Sequence, residues 1–139
     1  MLTEEHKEKI KYLNQYKYLN SDIDRKIKSL EDWRNKIFNV TGTLSDMPRN
    51  PNRVNTIEEG VAAIDEIEAN INKYIDDLVN LRAEIENKIN GVQDIKLREL
   101  LKCRYLDCQT FEEIAYKKEF SWRWVHTLHE RALDKIILD

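Results

Sequence analysis

Between Thr56 and Asn90 the sequence sets Ile57, Ile64, Ile71, Leu78, Ile85 and Val92 seven residues apart, with Val61, Ile75 and Ile89 four residues after the first, third and fifth of them. A seven-residue period holds apolar side chains on one stripe of an α-helix, and that stripe has to be covered by another helix. The chain carries a second stripe from Glu4 to about Asn39. Tyr16, Ile23, Leu30 and Ile37 repeat by sevens, and Leu13 and Ile27 fill the alternate seam positions. Asn20, Arg34, Glu68 and Arg82 interrupt those alternate positions, each beside an apolar neighbour: Leu19, Trp33, Ile67 and Leu81. Two helices of about 35 residues, each roughly 50 Å long, are therefore expected to pair antiparallel, since neither would be stable alone. Thr56 with Glu59 reads as a capping box that opens the second helix.

Between the stripes lies Val40 to Asn55, where Gly42, Pro48 and Pro51 argue against a continuous helix. A tight hairpin does not need such a length, and loops beyond about 12 residues in a compact protein are commonly functional or disordered. After Gly91 the seven-residue repeat ends and three shorter helices are expected. Asp94 to Leu106 carries Ile95, Leu97, Leu100, Leu101 and Tyr105; Thr110 and Glu113 form a second capping box ahead of Phe111 to Lys117; Ser121 caps Trp122 to about Ile137. A short helix, a brief turn and a longer helix make a helix-turn-helix. The reading is thus all-α: a helical hairpin over residues 1–91 with its loop at 40–55, then a helix-turn-helix module over 92–139. Three glycines, two prolines and 35% charged residues agree with a helix-rich chain.

The N-terminus has no apolar signal core and no stretch approaches a membrane span, so a cytoplasmic protein without membrane contact is expected. Cys103 and Cys108 are expected as reduced thiols. Together with His126 and His129 they are the ligand types of a zinc finger, but the spacing is poor, and Cys103 reads better as a small core residue. No metal or cofactor is expected. Nor is an enzyme: there is no glycine-rich phosphate loop, and neither histidine pairs with a nucleophile and an orienting acid.

Arg104-Tyr105-Leu106, Thr110-Phe-Glu-Glu-Ile-Ala115, Phe120-Ser121, Arg123, Val125, Leu128-His129 and Ala132-Leu133 resemble the tail of bacterial sigma-factor region 4. The whole chain resembles a family of small uncharacterised proteins from phages and prophages of Gram-positive bacteria, which join a helical N-terminal half to such a tail. The run Ser45-Asp46-Met47-Pro48-Arg49 is similar to a short run in that family. The resemblance implies transcriptional regulation during phage development. It departs from many helix-turn-helix motifs in the turn. Where glycine commonly takes positive φ this chain has Glu119, and left-handed geometry costs a non-glycine residue about 1 kcal/mol.

Helical spacing separates the faces of the last helix. Val125, Leu128, Ala132 and Ile136 form a core stripe expected to pack on Leu101, Ile114 and Ala115, while Arg123, Trp124, Thr127, Glu130 and Arg131 lie opposite, with His126 at the edge. Residues near the N-terminus of a recognition helix reach base edges, and arginine can bond guanine bidentately while threonine or an aromatic ring can meet a thymine methyl. The expected DNA-binding set is Ser121, Arg123, Trp124, His126, Thr127 and Arg131. The alternative is a solvated face or a protein contact. Residues 92–139 carry nine basic and nine acidic side chains, and the chain as a whole has a formal charge of −3. DNA affinity is accordingly expected to be modest or completed by a partner such as host RNA polymerase. Two functions follow: a promoter-binding regulator whose hairpin serves dimerisation or polymerase contact, or a mimic of sigma region 4 that docks on polymerase without reading DNA.

Asp46, Met47, Pro48 and Arg49 are the expected partner-binding residues, because Met47 is apolar in a polar loop and Pro48 limits the conformations lost on binding. Replacing residues 45–49 with a Gly-Ser linker should leave the melting temperature unchanged and reduce regulation in a reporter assay. Unaltered regulation would make the segment a linker.

Overall fold

The computed structural model describes residues 2–43 and 51–138, and the described residues contain helices and no strand. The elements are α1 (Glu4–Leu13), α2 (Gln15–Thr43), α3 (Pro51–Asn90), α4 (Ile95–Leu101), whose last turns widen into a π-helical segment (Lys102–Leu106), α5 (Phe111–Lys118) and α6 (Trp122–Lys135). Asp46, Met47, Pro48 and Arg49 lie outside the described residues. The expected all-α class is found. Two compact units make up the chain: Met1–Leu19 with Leu78–Asp139, and Asn20–Asp77.

In the Asn20–Asp77 unit, α2 and α3 run antiparallel. Lys26 lies over the ring of Tyr74, Arg34 pairs with Glu68, and Ile37 meets Gly60, so the position on one helix falls as that on the other rises. The seven-residue stripe is the inner one: Ile23, Leu30 and Ile71 are buried. In this unit its companion row differs from the expected one, whereas Leu13 and Ile89, the members of that row in the other unit, are fully buried as expected. Residues three after the stripe, such as Lys26 and Trp33 on α2 and Gly60, Ile67 and Tyr74 on α3, are buried or half-buried. Those four after it, Ile27, Val61 and Ile75, are 39%, 47% and 40% exposed. A lone hairpin has a single partner per helix, and the close approach at Gly60 turns the seam toward the three-residue side. A Cβ placed on Gly60 would stand 2.8 Å from Ile37 side-chain carbons, so only glycine lets the helices meet there without a shift.

The expected loop is shorter at both ends. Helix α2 continues through Gly42 to Thr43, and α3 begins at Pro51 instead of Thr56. Proline suits that first position, where its missing N–H forfeits no helical bond and its fixed φ is already helical. Thr56 is consequently inside α3 and not at its start. The expected first helix is also divided. Asn14 separates α1 from α2 as a single turn residue in αR geometry, with its N–H bonded to the Ile10 carbonyl at 2.9 Å.

The other unit is built around one core. Leu13, Ile85 and Ile89 from the hairpin helices join Leu97, Leu101, Ile114, Val125, Leu128 and Leu133 from the tail, all 5% exposed or less. The pairing is antiparallel here too: Tyr12 donates to Glu84 at 2.6 Å, and Arg82 donates to the Tyr16 hydroxyl at 3.1 Å. Arg82, which breaks the apolar row in sequence, also reaches the Leu106 carbonyl at 3.4 Å. The tail's helix starts are chemically specified. Asp94 caps α4 by accepting from the N–H groups of Lys96 and Leu97, Thr110 caps α5 by accepting from Glu113, and Ser121 caps α6 by accepting from Trp124. Cys103 is buried and Cys108 exposed, and both are free thiols.

The turn between α5 and α6 takes the geometry expected for it. Glu119 adopts φ 58°, ψ 37°, and the chain closes α5 with the Phe120 N–H on the Ala115 carbonyl at 2.9 Å and the Glu119 N–H on that of Tyr116 at 3.3 Å. That pair of bonds is a Schellman motif, whose left-handed residue is usually glycine. Glu119→Gly removes a steric cost of about 1–2 kcal/mol and gives back part of it through a freer unfolded chain, about 0.4–1 kcal/mol. The variant should be more stable than the parent by up to about 1 kcal/mol in urea denaturation. A midpoint lower by the full unfolded-chain cost of about 0.4–1 kcal/mol would show that the turn carries no strain.

Candidate nucleic-acid interface

Helix α6 is held on three sides before it offers anything to solvent. Its stripe of Val125, Leu128, Ala132 and Leu133 is buried in the core with Leu101 and Ile114, and Ile136 continues that burial past the helix end. Helix α1 fastens it along another edge with polar side chains that the sequence pattern did not single out. Thr3 and His6 close a reciprocal capping box, in which the Thr3 N–H donates to His6 Nδ1 and the His6 N–H to Thr3 Oγ1, both at 3.2 Å. With Nδ1 accepting, the ring proton sits on Nε2, and that atom bonds Asp134 on α6. Lys9, also buried, donates to the Leu133 carbonyl at 2.8 Å and neighbours Glu5 at 3.3 Å.

The third attachment is a buried polar pair. Tyr105, on the π-helical segment, and His129, on α6, share a hydrogen bond of 2.6 Å between the hydroxyl and Nε2. Burial raises the Tyr105 pKa and lowers that of His129 to about 4, the latter helped by the nearby Arg104 cation and opposed by Glu130. Both groups are therefore neutral near pH 7. His129 thus serves the interior, bonded to Tyr105.

Against this scaffold the expected site residues divide. Ser121 is occupied as the cap, its Oγ accepting from the Trp124 N–H at 3.1 Å. Arg123 is exposed in the first turn. Trp124 is 37% exposed with the Arg131 guanidinium 5.2 Å from its ring centre, and Thr127, half-buried, donates to the Arg123 carbonyl at 3.1 Å. Arg123, Trp124, Thr127 and Arg131 thus share the side of α6 turned away from the core. His126 goes elsewhere. It is half-buried between Trp122 and Phe111, with ring centres 3.9 and 4.4 Å away, and the Arg104 guanidinium lies over the Phe111 ring at 4.1 Å. Glu130 is half-buried and lines a pocket with Arg104, Tyr105, Phe111, His126 and His129.

Two residues outside the expected set belong to this end of the unit. Trp122, 57% exposed, begins α6 directly after its cap, and Tyr116, 90% exposed, stands in the last turn of α5 beside Lys117. Their places next to the cap and the turn were the available signals. Such a surface can offer hydrogen-bond donors, a cation and aromatic faces to a groove or to a protein. On the opposite flank, Ile95, Leu100, Ile114 and Phe120 with Lys96, Glu99 and Lys118 line an apolar groove of about 220 Å³ between α4 and α5. Among the described residues no helix is long and apolar enough to cross a membrane. Comparison with protein-family models, with curated proteins and with solved structures returns no match for this chain.

The Tyr105–His129 pair makes stability depend on acid. The folded pKa of His129, about 4, lies below its ordinary 6.5, so the unfolded chain binds the proton first as pH falls. Its contribution is complete above pH 6.5 and is lost progressively between about 6.5 and 4, by about 3 kcal/mol in all. His129→Gln can keep a bond to Tyr105 but cannot titrate there. Its denaturation midpoint should fall less steeply over that range than the parent's, and equal slopes would remove His129 as the cause.

Proposed function

We propose that α6 is the recognition helix of a DNA-binding helix-turn-helix and that the chain is a phage-type transcriptional regulator acting at promoter DNA, together with host RNA polymerase. One observation carries the reading: Arg123, Trp124, Thr127 and Arg131 lie together on the outward side of a helix whose inward side is fully committed to the core. The N-terminal turn of α6 carries Arg123 and Trp124, the part of a recognition helix that reaches base edges. Arginine supplies the bidentate donor that discriminates guanine, and the aromatic ring and the threonine methyl suit a thymine methyl. His126, with Phe111 behind it, steadies Trp122 and contributes to the shape of the surface instead of to base contact. Exposed Lys117 in the last turn of α5 supplies a cation for the phosphate backbone.

A second reading is favoured by the exposed rings of Tyr116 and Trp122 and by the apolar groove at Ile95 and Phe120: a module that docks on polymerase or another protein and never reads bases. Salt separates the two, because groove binding with several phosphate contacts weakens steeply as salt rises.

Arg123→Ala should leave the fold intact, weaken binding to the chain's own promoter region by about 1–3 kcal/mol and relax the preference at one base position. Trp124→Ala should weaken binding with less change in salt dependence, since no charge is removed. Fluorescence anisotropy against promoter and random duplexes measures both. Equal binding to the two duplexes at low salt, with polymerase present, would overturn the DNA reading, and loss of polymerase co-purification in the same variants would support the docking reading.

A further inference from the structure

The ion pair Arg34–Glu68 marks one side of the hairpin in the Asn20–Asp77 unit. Ile27 precedes Arg34 by seven residues on α2, and Val61 and Ile75 flank Glu68 by seven on α3. Residues seven apart share a row on a helix, so these three side chains lie on the side where Arg34 and Glu68 meet. Phe38, four after Arg34 and 76% exposed, adjoins them. That side therefore carries two apolar levels, Ile27 with Ile75 and Phe38 with Val61, separated by a charged one.

The charges of the two helices choose what can cover it. Over residues 57–77, α3 carries seven acidic side chains and one basic, whereas α2 over residues 20–39 carries four acidic and five basic. A partner hairpin laid over this side with α3 on α3 would oppose two strongly acidic helices. Turned about a two-fold axis parallel to the helices, a second copy instead brings its α3 over α2 and its α2 over α3. Every adjacent pair in the resulting four-helix bundle is then antiparallel and opposite or near-neutral in charge. Without sliding, this arrangement sets Ile27 against the partner copy's Ile75 level and Phe38 against its Val61 level, and lets the Arg34–Glu68 pairs exchange across the axis.

We propose that two copies of this chain associate through the Ile27, Phe38, Val61 and Ile75 side of the hairpin, α2 over α3, with the charged level of Arg34 and Glu68 fixing the register. The association does not rest on the DNA reading: a monomer that binds promoter DNA would sink the dimer alone.

Sedimentation equilibrium of the full chain should give the mass of two chains, and Ile27→Asp with Ile75→Asp should give that of one with helical circular dichroism retained. A monomer at all concentrations, or a dimer that the double variant leaves intact, overturns the proposal. A monomer that instead holds another protein on this side does so as well. A second measurement does not depend on how the aspartate variant folds. In a Cys108→Ser background, a mixture of Ile27→Cys and Ile75→Cys proteins should form disulfide-linked pairs of unlike chains. Linkage of like chains alone, 27 to 27 or 75 to 75, would overturn the α2-over-α3 arrangement.

Discussion

What α6 presents to solvent is decided by the burial of its other side. Val125, Ala132 and Leu133 are fully buried, and a rotation that brought Arg123 or Trp124 inward would expose them and lose on the order of 1.5–3 kcal/mol for each large side chain. The contacts from α1 and the π-helical segment reinforce that setting with directional bonds: His6 to Asp134, Lys9 to the Leu133 carbonyl, Tyr105 to His129. Apolar packing fixes how far the helix can turn. The polar bonds fix where along its length it stops, because a buried Lys9 or His129 shifted by one residue would lose its partner and pay for desolvation unaided. The outward residues inherit a single orientation from these constraints.

The parts of this arrangement legible in the sequence are those set by near neighbours. Caps depend on three or four consecutive residues, and Thr110, Ser121 and the left-handed turn at Glu119 stand where the residue types place them. The face of α6 follows from helical spacing alone, so the outward placement of Arg123, Trp124 and Arg131 was readable. The seven-residue stripes were readable for the same reason. Their companion row was readable at Leu13 and Ile89, which are fully buried as expected, but not in the Asn20–Asp77 unit, because a residue three after the stripe and one four after it are equally compatible with the pattern. Gly60, whose missing side chain lets Ile37 close in, tips the seam toward the former. His126 and Trp122 depended on Phe111, which folding brings from another helix. The attachments of α1 were hidden more deeply, since nothing local in His6 or Lys9 indicates a partner more than 120 residues away.

The residues that interrupt the apolar rows show why such rows need not be continuous. Arg34 and Glu68 break equivalent positions on two antiparallel helices and answer one another. Arg82 breaks the next and finds the Tyr16 hydroxyl and the Leu106 carbonyl, which joins the hairpin's base to the end of the π-helical segment. Exposed ion pairs contribute little to stability, on the order of 0–1 kcal/mol, but two polar groups that meet only in one register penalise every other. The breaks thus select among alignments that a uniform isoleucine row would leave close in energy.

The same distinction bears on the neutral charge of the tail, which by itself argues against nucleic-acid binding. Asp94 is committed to capping α4 and Asp134 to His6, and Glu130 is half-buried beside Arg104 and the two histidines. Glu112 and Glu113 sit in the first turn of α5, where the helix dipole favours them. On the basic side, Arg98 and Arg104 donate to the carbonyls of Val92 and Gln109. Arg123 and Arg131 remain on the outward side of α6 and Lys117 at the adjoining end of α5. Equal totals therefore conceal an uneven arrangement, because the acids at the starts of α4 and α5 keep their charge where they stand, whereas the outward side of α6 carries the cations Arg123 and Arg131. On the proposed reading, it is this local excess, and not the net charge, that sets how many phosphates the module can engage.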